Sequence, residues 1–246
     1  MKVMKFGGTS VGSPDRMKNV ASLITESGDP TFVVLSAMSG TTNSLIEISN
    51  YLYKKNPDGA NEVINTLEKK YMQHVEELYS TDEYKEKTRE FLREEFKYMR
   101  SFTKDIFTSF EEKSIVAQGE IMSTNMVLNY LQEQGIKATL LSAFDFMRTD
   151  KNAEPDAQYI KEKLTAIMTE NEGYQIYITQ GFICLNAYGE IDNLQRGGSD
   201  FTASLIGVAL GAEEIQIWTD IDGMHNNDPR IVDETDAIRQ LNFEEA

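Results

Sequence analysis

The chain of 246 residues, 40% hydrophobic and 26% charged, is long enough for one large α/β domain or two small ones with a sizeable core. Its 40 acidic against 24 basic residues give a formal net charge of -16, which excludes general binding to nucleic acid or to anionic membranes, because both need a basic face. A phosphorylated small ligand stays open, since a few local donors hold it and remote charge is screened beyond about 10 Å. No charged leader with a long apolar stretch opens the chain and no apolar run approaches a membrane span, so the cytoplasm is the expected location. The single cysteine, Cys184, lies in the apolar run 181–185, where a buried packing thiol is expected.

The chain opens on Val3, Met4 and Phe6, a short apolar run that reads as a buried strand, broken by Gly7-Gly8 before a helical pattern starts at Ser13-Pro14. Strand, glycine turn and helix make a candidate phosphate cradle. Gly7 and Gly8 let backbone N–H groups approach an anion, Thr9 and Ser10 add hydroxyls, and Lys5 supplies a positive charge at the strand's end. An ordinary βα turn has the same outline, and neither G-x-x-x-x-G-K-[ST] nor G-x-G-x-x-G is present.

Met17, Val20, Ala21 and Ile24 place a first helix, and 31–35 is a β-rich run of the kind buried on both faces of a parallel sheet. It ends in Ser36-Ala37-Met38-Ser39-Gly40-Thr41-Thr42-Asn43, a small, hydroxylic loop at a strand's carboxyl end, where open α/β sheets place ligands. Thr42 or Asn43 would also serve as a helix cap. Asn56-Pro57-Asp58-Gly59 reads as a turn, and helical spacing then runs through Val63, Leu67, Tyr71 and Val75 and again from Tyr84 through Phe102, Ile106 and Phe110. These long amphipathic helices read as an insertion on the sheet domain, with His74 a boundary residue.

A third helix, 114–131, is expected to carry Gln118-Gly119-Glu120 in its interior. A glycine there costs about 1 kcal/mol relative to alanine and implies close backbone approach by something else, which makes Glu120 a site candidate. Strands follow at 136–141, 174–179 and 215–218, with a helix after Pro155-Asp156 and a hairpin across 186–193. Between them stands a second glycine loop, Arg196-Gly197-Gly198-Ser199-Asp200, opening onto a helix that Gly211 caps. Its Arg196 and Ser199 suit anionic oxygens, and Asp200 suits orientation of Lys5. After the last strand come Thr219-Asp220 and Asn227-Asp228-Pro229-Arg230, which fit either an edge around a nucleotide or plain turns. Two glycine loops facing one crevice supply what phosphoryl transfer needs, namely fixed donors and a lysine. Two histidines, His74 and His225, and one cysteine leave no credible zinc site.

Lys5-Phe6-Gly7-Gly8-Thr9-Ser10, the Ser36–Asn43 loop, Gly119-Glu120, Arg196-Gly197-Gly198-Ser199-Asp200 and Trp218-Thr219-Asp220 together resemble, in order, the motif set of the aspartate kinases. The resemblance implies the amino acid kinase fold, a three-layer αβα sandwich with a mainly parallel central sheet, here with a helical insertion at about 57–113. It implies ATP-dependent phosphorylation of the β-carboxylate of L-aspartate, the first step towards lysine, threonine and methionine. Mg²⁺ would be held mainly through the phosphates, with no protein metal site, and the parent enzyme would be a homo-oligomer.

By the same resemblance, Lys5 stabilises the transferring phosphoryl group, Asp200 keeps Lys5 in place, and Gly7, Gly8, Thr9 and Ser10 cradle phosphates. Arg196 clamps the substrate α-carboxylate, Glu120 stands near its amino group, and Ser36, Thr42, Phe182 and Ser199 line the pocket. Thr219, Asp220, His225, Asp228 and Arg230 border the nucleotide, with His225 standing where the family commonly has tyrosine. Family members continue past the position of Ala246 with a Gly-Ala-Lys stretch and ACT domains, so a catalytic domain cut short at its C-terminal end is expected. Rival expectations are another amino acid kinase acting on glutamate or acetylglutamate, and a nucleotide-binding module without turnover.

Overall fold

In chain order, β1 (Lys2–Phe6), α1 (Pro14–Thr25), β2 (Thr31–Leu35) and α2 (Thr41–Tyr53) precede four helices, α3 (Pro57–Leu78), α4 (Asp82–Ser101), α5 (Ser109–Val116) and α6 (Gln118–Glu133). Then come β3 (Ala138–Leu140), α7 (Ala143–Phe146), α8 (Ala157–Glu170), β4 (Ile176–Gln180), β5 (Ile183–Leu185), β6 (Ile191–Asn193), α9 (Gly198–Leu210) and β7 (Glu214–Trp218). This computed structural model describes residues 1–104, 106–194, 197–220, 223–227, 231–232 and 234–242.

Five strands pair in the order β3-β4-β2-β1-β7, every contact parallel. β2 and β4 are buried at every position, which is why they read as β-rich, largely apolar runs, with Thr31, Thr179 and Gln180 buried among them. Alternation along the strands divides the core into two layers. Met4, Phe6, Val33, Leu35 and Ile178 pack with α1, α2, α3 and α6 through Met17, Leu45, Ile64 and Met122. Val3, Phe32, Val34 and Tyr177 pack on the opposite face with α8 and α9 through Ile160, Leu164, Ala203 and Ile206. The result is the helix–sheet–helix sandwich expected, and β5 and β6 form the expected antiparallel hairpin. No helix among the described residues is long and apolar enough to cross a membrane.

Three local expectations are corrected. Asn56-Pro57-Asp58-Gly59 is not a free turn but the start of α3: the Asn56 side chain accepts from the Gly59 amide at 3.0 Å, with Pro57 in the first turn. The second long helix stops at Ser101, and Ile106 is 85% exposed, because Thr108 and Glu111 form a capping box that starts α5 separately. The third helix breaks at Ala117, so Gly119 and Glu120 occupy the first turn of α6 and not a helix interior.

The long helices are tied to the rest by more than apolar packing. Ile64, Leu67, Tyr71, Val75 and Leu78 of α3 and Leu92, Phe96 and Met99 of α4 are buried. The link between the two helices is pinned to α6, where the Ser80 and Thr81 amides donate to Glu133 at 2.9 and 2.7 Å. Within this pairing Asn129 Nδ2 donates to Thr88 Oγ1 at 3.0 Å, satisfying both buried groups.

Cys184 is fully buried in β5, and burial, with the charge of Asp192 adding, pushes its thiol up to about 12. The folded chain should therefore resist an aromatic disulfide reagent at neutral pH and yield its thiol only after denaturation. Prompt stoichiometric labelling of the native chain would contradict this placement.

Candidate active site

The parallel register brings four strand ends to one level. Phe6 pairs with Leu35 and with Trp218, and Leu35 pairs with Gln180, so the loops leaving β1, β2, β4 and β7 all begin at the same edge of the sheet. There they enclose a cavity of about 480 Å³ lined by Lys5, Gly8, Thr9, Ser36, Ala37, Met38, Ser39, Gly40, Thr42, Glu120, Phe182, Gly197, Gly198, Ser199 and Asp200. It lies at the carboxyl ends of the strands, as open α/β sheets dispose their ligand sites.

Lys5 shares its face of β1 with Val3, the face covered by α9. Its ammonium therefore meets Asp200 in the first turn of α9, with Nζ 2.7 Å from Oδ1. The Lys5 side chain is 11% exposed and that of Asp200 54%, so the pair adds little to stability and serves chiefly to aim the lysine. Two helices also start at the cavity. α2 and α9 begin at Gly40 (φ 81) and Gly197 (φ 83), both left-handed and neither supplemented by a side-chain cap. Their N-termini thus present partial positive charge beside Lys5, a setting for anionic oxygens.

The glycine turn after β1 packs tightly on the loop after β2. Ser39 N–H donates to the Gly8 carbonyl at 3.0 Å, and a Cβ on Gly8 would come within 2.7 Å of the Ala37 carbonyl oxygen. Only glycine permits that approach. The Ser10 amide closes the turn on the Gly7 carbonyl at 2.9 Å, and Arg16 donates from α1 to the Thr9 carbonyl at 2.6 Å.

Glu120 also lines the cavity. Its Oε1 accepts from the Ala37 amide at 3.1 Å, while Oε2 is buried with no hydrogen-bond partner among the described residues. Burial pushes this carboxyl from its ordinary 4.5 up to about 7, the Ala37 amide offsetting only part of the effect. Gly119 makes the approach possible, since a Cβ there would lie 2.7 Å from that of Ala37. Ser123, one turn on, donates to the Ser36 carbonyl at 2.8 Å, and the Ser36 hydroxyl donates across the cavity to Ser199 Oγ at 3.0 Å. A lysine, two helix N-termini and a carboxylate lining one cavity suit a ligand that carries both anionic and cationic groups.

The amino acid kinase family model matches residues 1–246. The chain belongs to the amino acid kinase family. It is 32% identical to lysine-sensitive aspartokinase 3 of Escherichia coli, covering 99% of this chain and 54% of that protein. It is 33% identical to the chloroplastic aspartokinase 1 of Arabidopsis thaliana, covering 99% of this chain and 44% of that protein. It thus spans about half the length of the curated relatives it matches. The structure of E. coli aspartokinase III in complex with aspartate and ADP superposes with a TM-score of 0.84 at 32% identity, over 97% of this chain and 53% of that one. An isopentenyl phosphate kinase, 13% identical with a TM-score of 0.53, shares the fold alone.

Within this amino acid kinase domain, the cavity gathers Lys5, Gly8, Thr9, Ser36, Thr42, Glu120, Phe182, Ser199 and Asp200 from the residues expected at a site. Gly7 does not line it, but a Cβ there would stand 3.5 Å from Lys5 Nζ. Ser10 and Thr219 line a smaller cavity of about 190 Å³ between α1 and the end of β7, and Asp220 follows, exposed. His225 stands apart from the main cavity, its Nδ1 2.8 Å from Thr235 Oγ1. Arg196, Asp228 and Arg230 lie outside the described residues. Ser123, Arg16 and Thr202, whose hydroxyl accepts from the Phe182 amide at 3.1 Å, were not singled out from sequence. Of these only Ser123 carried a signal, one helical turn beyond Glu120.

A carboxyl raised in the folded state stabilises the fold most below its unfolded value, and that contribution is lost as pH rises through the folded value. For Glu120 the window is 4.5 to about 7. Unfolding free energy should fall there by up to about 1.4 kcal/mol per pH unit from this group. Glu95, half-buried on α4 and also raised, contributes in the same direction, so the comparison is with Glu120→Gln. Denaturant titrations should show a shallower slope for that variant, and equal slopes would contradict the burial assigned to Glu120.

Proposed function

We propose that this chain is the catalytic portion of an aspartate kinase, transferring the γ-phosphoryl group of ATP to the β-carboxylate of L-aspartate to give 4-phospho-L-aspartate. The observation that carries the reading is the one cavity that the Lys5–Asp200 pair and two helix N-termini share with the half-bonded carboxylate of Glu120. The likeness to aspartokinases, one of them complexed with aspartate and ADP, supports both the acceptor and the nucleotide.

In the reaction a β-carboxylate oxygen attacks the γ-phosphorus while the bond to the β–γ bridging oxygen breaks and ADP departs. The acceptor is a carboxylate with an ordinary value near 4, already ionised at neutral pH, so no general base is required. Accordingly the cavity has no histidine in its lining. What remains is positioning and charge stabilisation. Lys5, aimed by Asp200, neutralises charge on the transferring group, and the α2 and α9 N-termini receive its oxygens. Glu120 takes the substrate ammonium through Oε2, and Ser36, Thr42 and Ser199 position the rest of the amino acid. Arg196 suits the α-carboxylate. The resemblance assigns Thr219, Asp220, His225, Asp228 and Arg230 to the nucleotide, and Thr219 lines the smaller cavity together with Ser10. Asp200 offers a hard oxygen at the cavity, which fits Mg²⁺ held chiefly by the phosphates; when bound, the ion neutralises phosphate charge.

Calorimetric titration should show binding of L-aspartate in preference to L-glutamate and N-acetylglutamate. Affinity should increase as pH rises through about 7, where Glu120 becomes the carboxylate that an ammonium needs. Binding of nucleotide with no response to any of the amino acids would defeat the assignment.

Lys5→Ala should lower kcat for phosphoryl transfer at least about 10²-fold in the full-length protein, the usual cost of one preorganised charge contact. Turnover within a few-fold of wild type would remove Lys5 from the role given it.

A further inference from the structure

The wall of the cavity between β2 and α2 is held at its far end by a residue from outside the sheet domain's loops. Ser39 and Gly40 are exposed and line the cavity, and they are bracketed by two buried residues, Met38 and Thr41. Met38 is anchored in the apolar core beneath the sheet edge. Thr41 is polar and fully buried, and its hydroxyl lies 3.0 Å from the hydroxyl of Tyr71, which is itself fully buried on α3. No other hydrogen bond of the Tyr71 side chain is present among the described residues.

Tyr71 is well placed to hold something still. Its ring packs edge-on against Phe96 of α4, with centroids 5.8 Å apart, so the hydroxyl is presented from a fixed aromatic base. The neighbouring Lys70 donates from Nζ to the Ser39 carbonyl at 3.0 Å, so consecutive residues of α3 touch both sides of Gly40. Thr41 in turn abuts α6, its Cγ2 3.5 Å from where a Cβ of Gly119 would stand. Burial, and the negative charge of Glu120 in addition, push the Tyr71 phenol above its ordinary value, while the Thr41 contact opposes this. Glu120 itself is bonded to the same loop through the Ala37 amide.

We infer that Tyr71 is a positioning residue of the proposed aspartate site: its hydroxyl, acting through Thr41, fixes Gly40 and Thr42 in the cavity wall relative to Glu120. The inference rests on the aspartate kinase reading for its ligand but not for its geometry. In Tyr71→Phe the ring keeps its packing while Thr41 loses its buried partner, so the hydroxyl must find another by moving the start of α2.

The test compares Tyr71→Phe, Thr41→Val, the double variant and Thr41→Ser. Calorimetric affinity for L-aspartate should fall about tenfold in Tyr71→Phe and similarly in Thr41→Val, and the double variant should be no worse than either single one. Thr41→Ser should restore near-normal binding. A residue that merely fills the core would lower the unfolding midpoint and leave aspartate affinity alone, and that outcome overturns the inference. If the wild-type chain binds no aspartate, the fault lies with the functional reading, and hydrogen exchange decides the inference by itself. The amides of Ser39 and Thr41, bonded to the carbonyls of Gly8 and Met38, should then exchange faster in Tyr71→Phe while those of α4 do not change. Unaltered exchange at Ser39 and Thr41 overturns it.

Discussion

Everything at the site depends on the common level at which β1, β2, β4 and β7 end. Parallel pairing in that register is a backbone property, set by Phe6 opposite Leu35 and Trp218 and by Leu35 opposite Gln180. It turns residues far apart in sequence into neighbours, because each loop starts where its strand stops. Alternation along β1 then decides which side each residue serves. Phe6 goes into the core with α1 and α2, while Lys5 goes to the α9 face and meets Asp200. A slip of one residue would exchange these faces and separate the ion pair.

The site also explains how a chain of net charge -16 accommodates a local positive pole. The acidic surplus is spread over solvated helix faces, such as the α3–α4 faces where Glu76 and Glu86 pair with Arg89. At the cavity the balance is local: one shielded lysine, one carboxylate that aims it, and two helix N-termini capped only by glycine. With screening beyond about 10 Å, the surface charge does not cancel this pole. Glu120 is the costly element. Its buried, half-bonded carboxyl destabilises the fold at neutral pH relative to a protonated one, and a structural role alone would be better filled by glutamine.

Much of this was legible because it lay in local pattern. The strands expected at 31–35 and 174–179 announce themselves by β-rich, largely apolar runs, the second lying at 176–180, and Gly119 announced close contact although the helix starts there and does not run through it. The α4–α5 boundary is also written in the chain, as Thr108-x-x-Glu111, although the apolar spacing through Ile106 outweighs it as a pattern. What sequence could not reveal were partners set by tertiary packing. Tyr71 reads as one more apolar position on α3, since helical spacing cannot distinguish a ring that fills the core from one whose hydroxyl is needed. Thr202 is similar: it lies in an apolar helix, yet its hydroxyl accepts the amide of Phe182.

That last contact bears on how rigid the cavity is. Phe182 adopts φ 69, a left-handed conformation that costs a bulky residue about 1 kcal/mol or more. It is held there by the Thr202 hydroxyl on its amide and by the Leu194 amide on its carbonyl, at 3.1 and 2.7 Å. Across the cavity the Ser36 and Ser199 hydroxyls satisfy each other. The two features act differently. The Phe182 strain is locked in by neighbours that a ligand would not displace, so that wall is preformed. The serine pair exchanges one hydrogen bond for another when a ligand oxygen arrives, at little net cost. A site so built is rigid in its backbone and adjustable only in its hydroxyls, which favours discrimination by the size and charge of a ligand over adaptation to it.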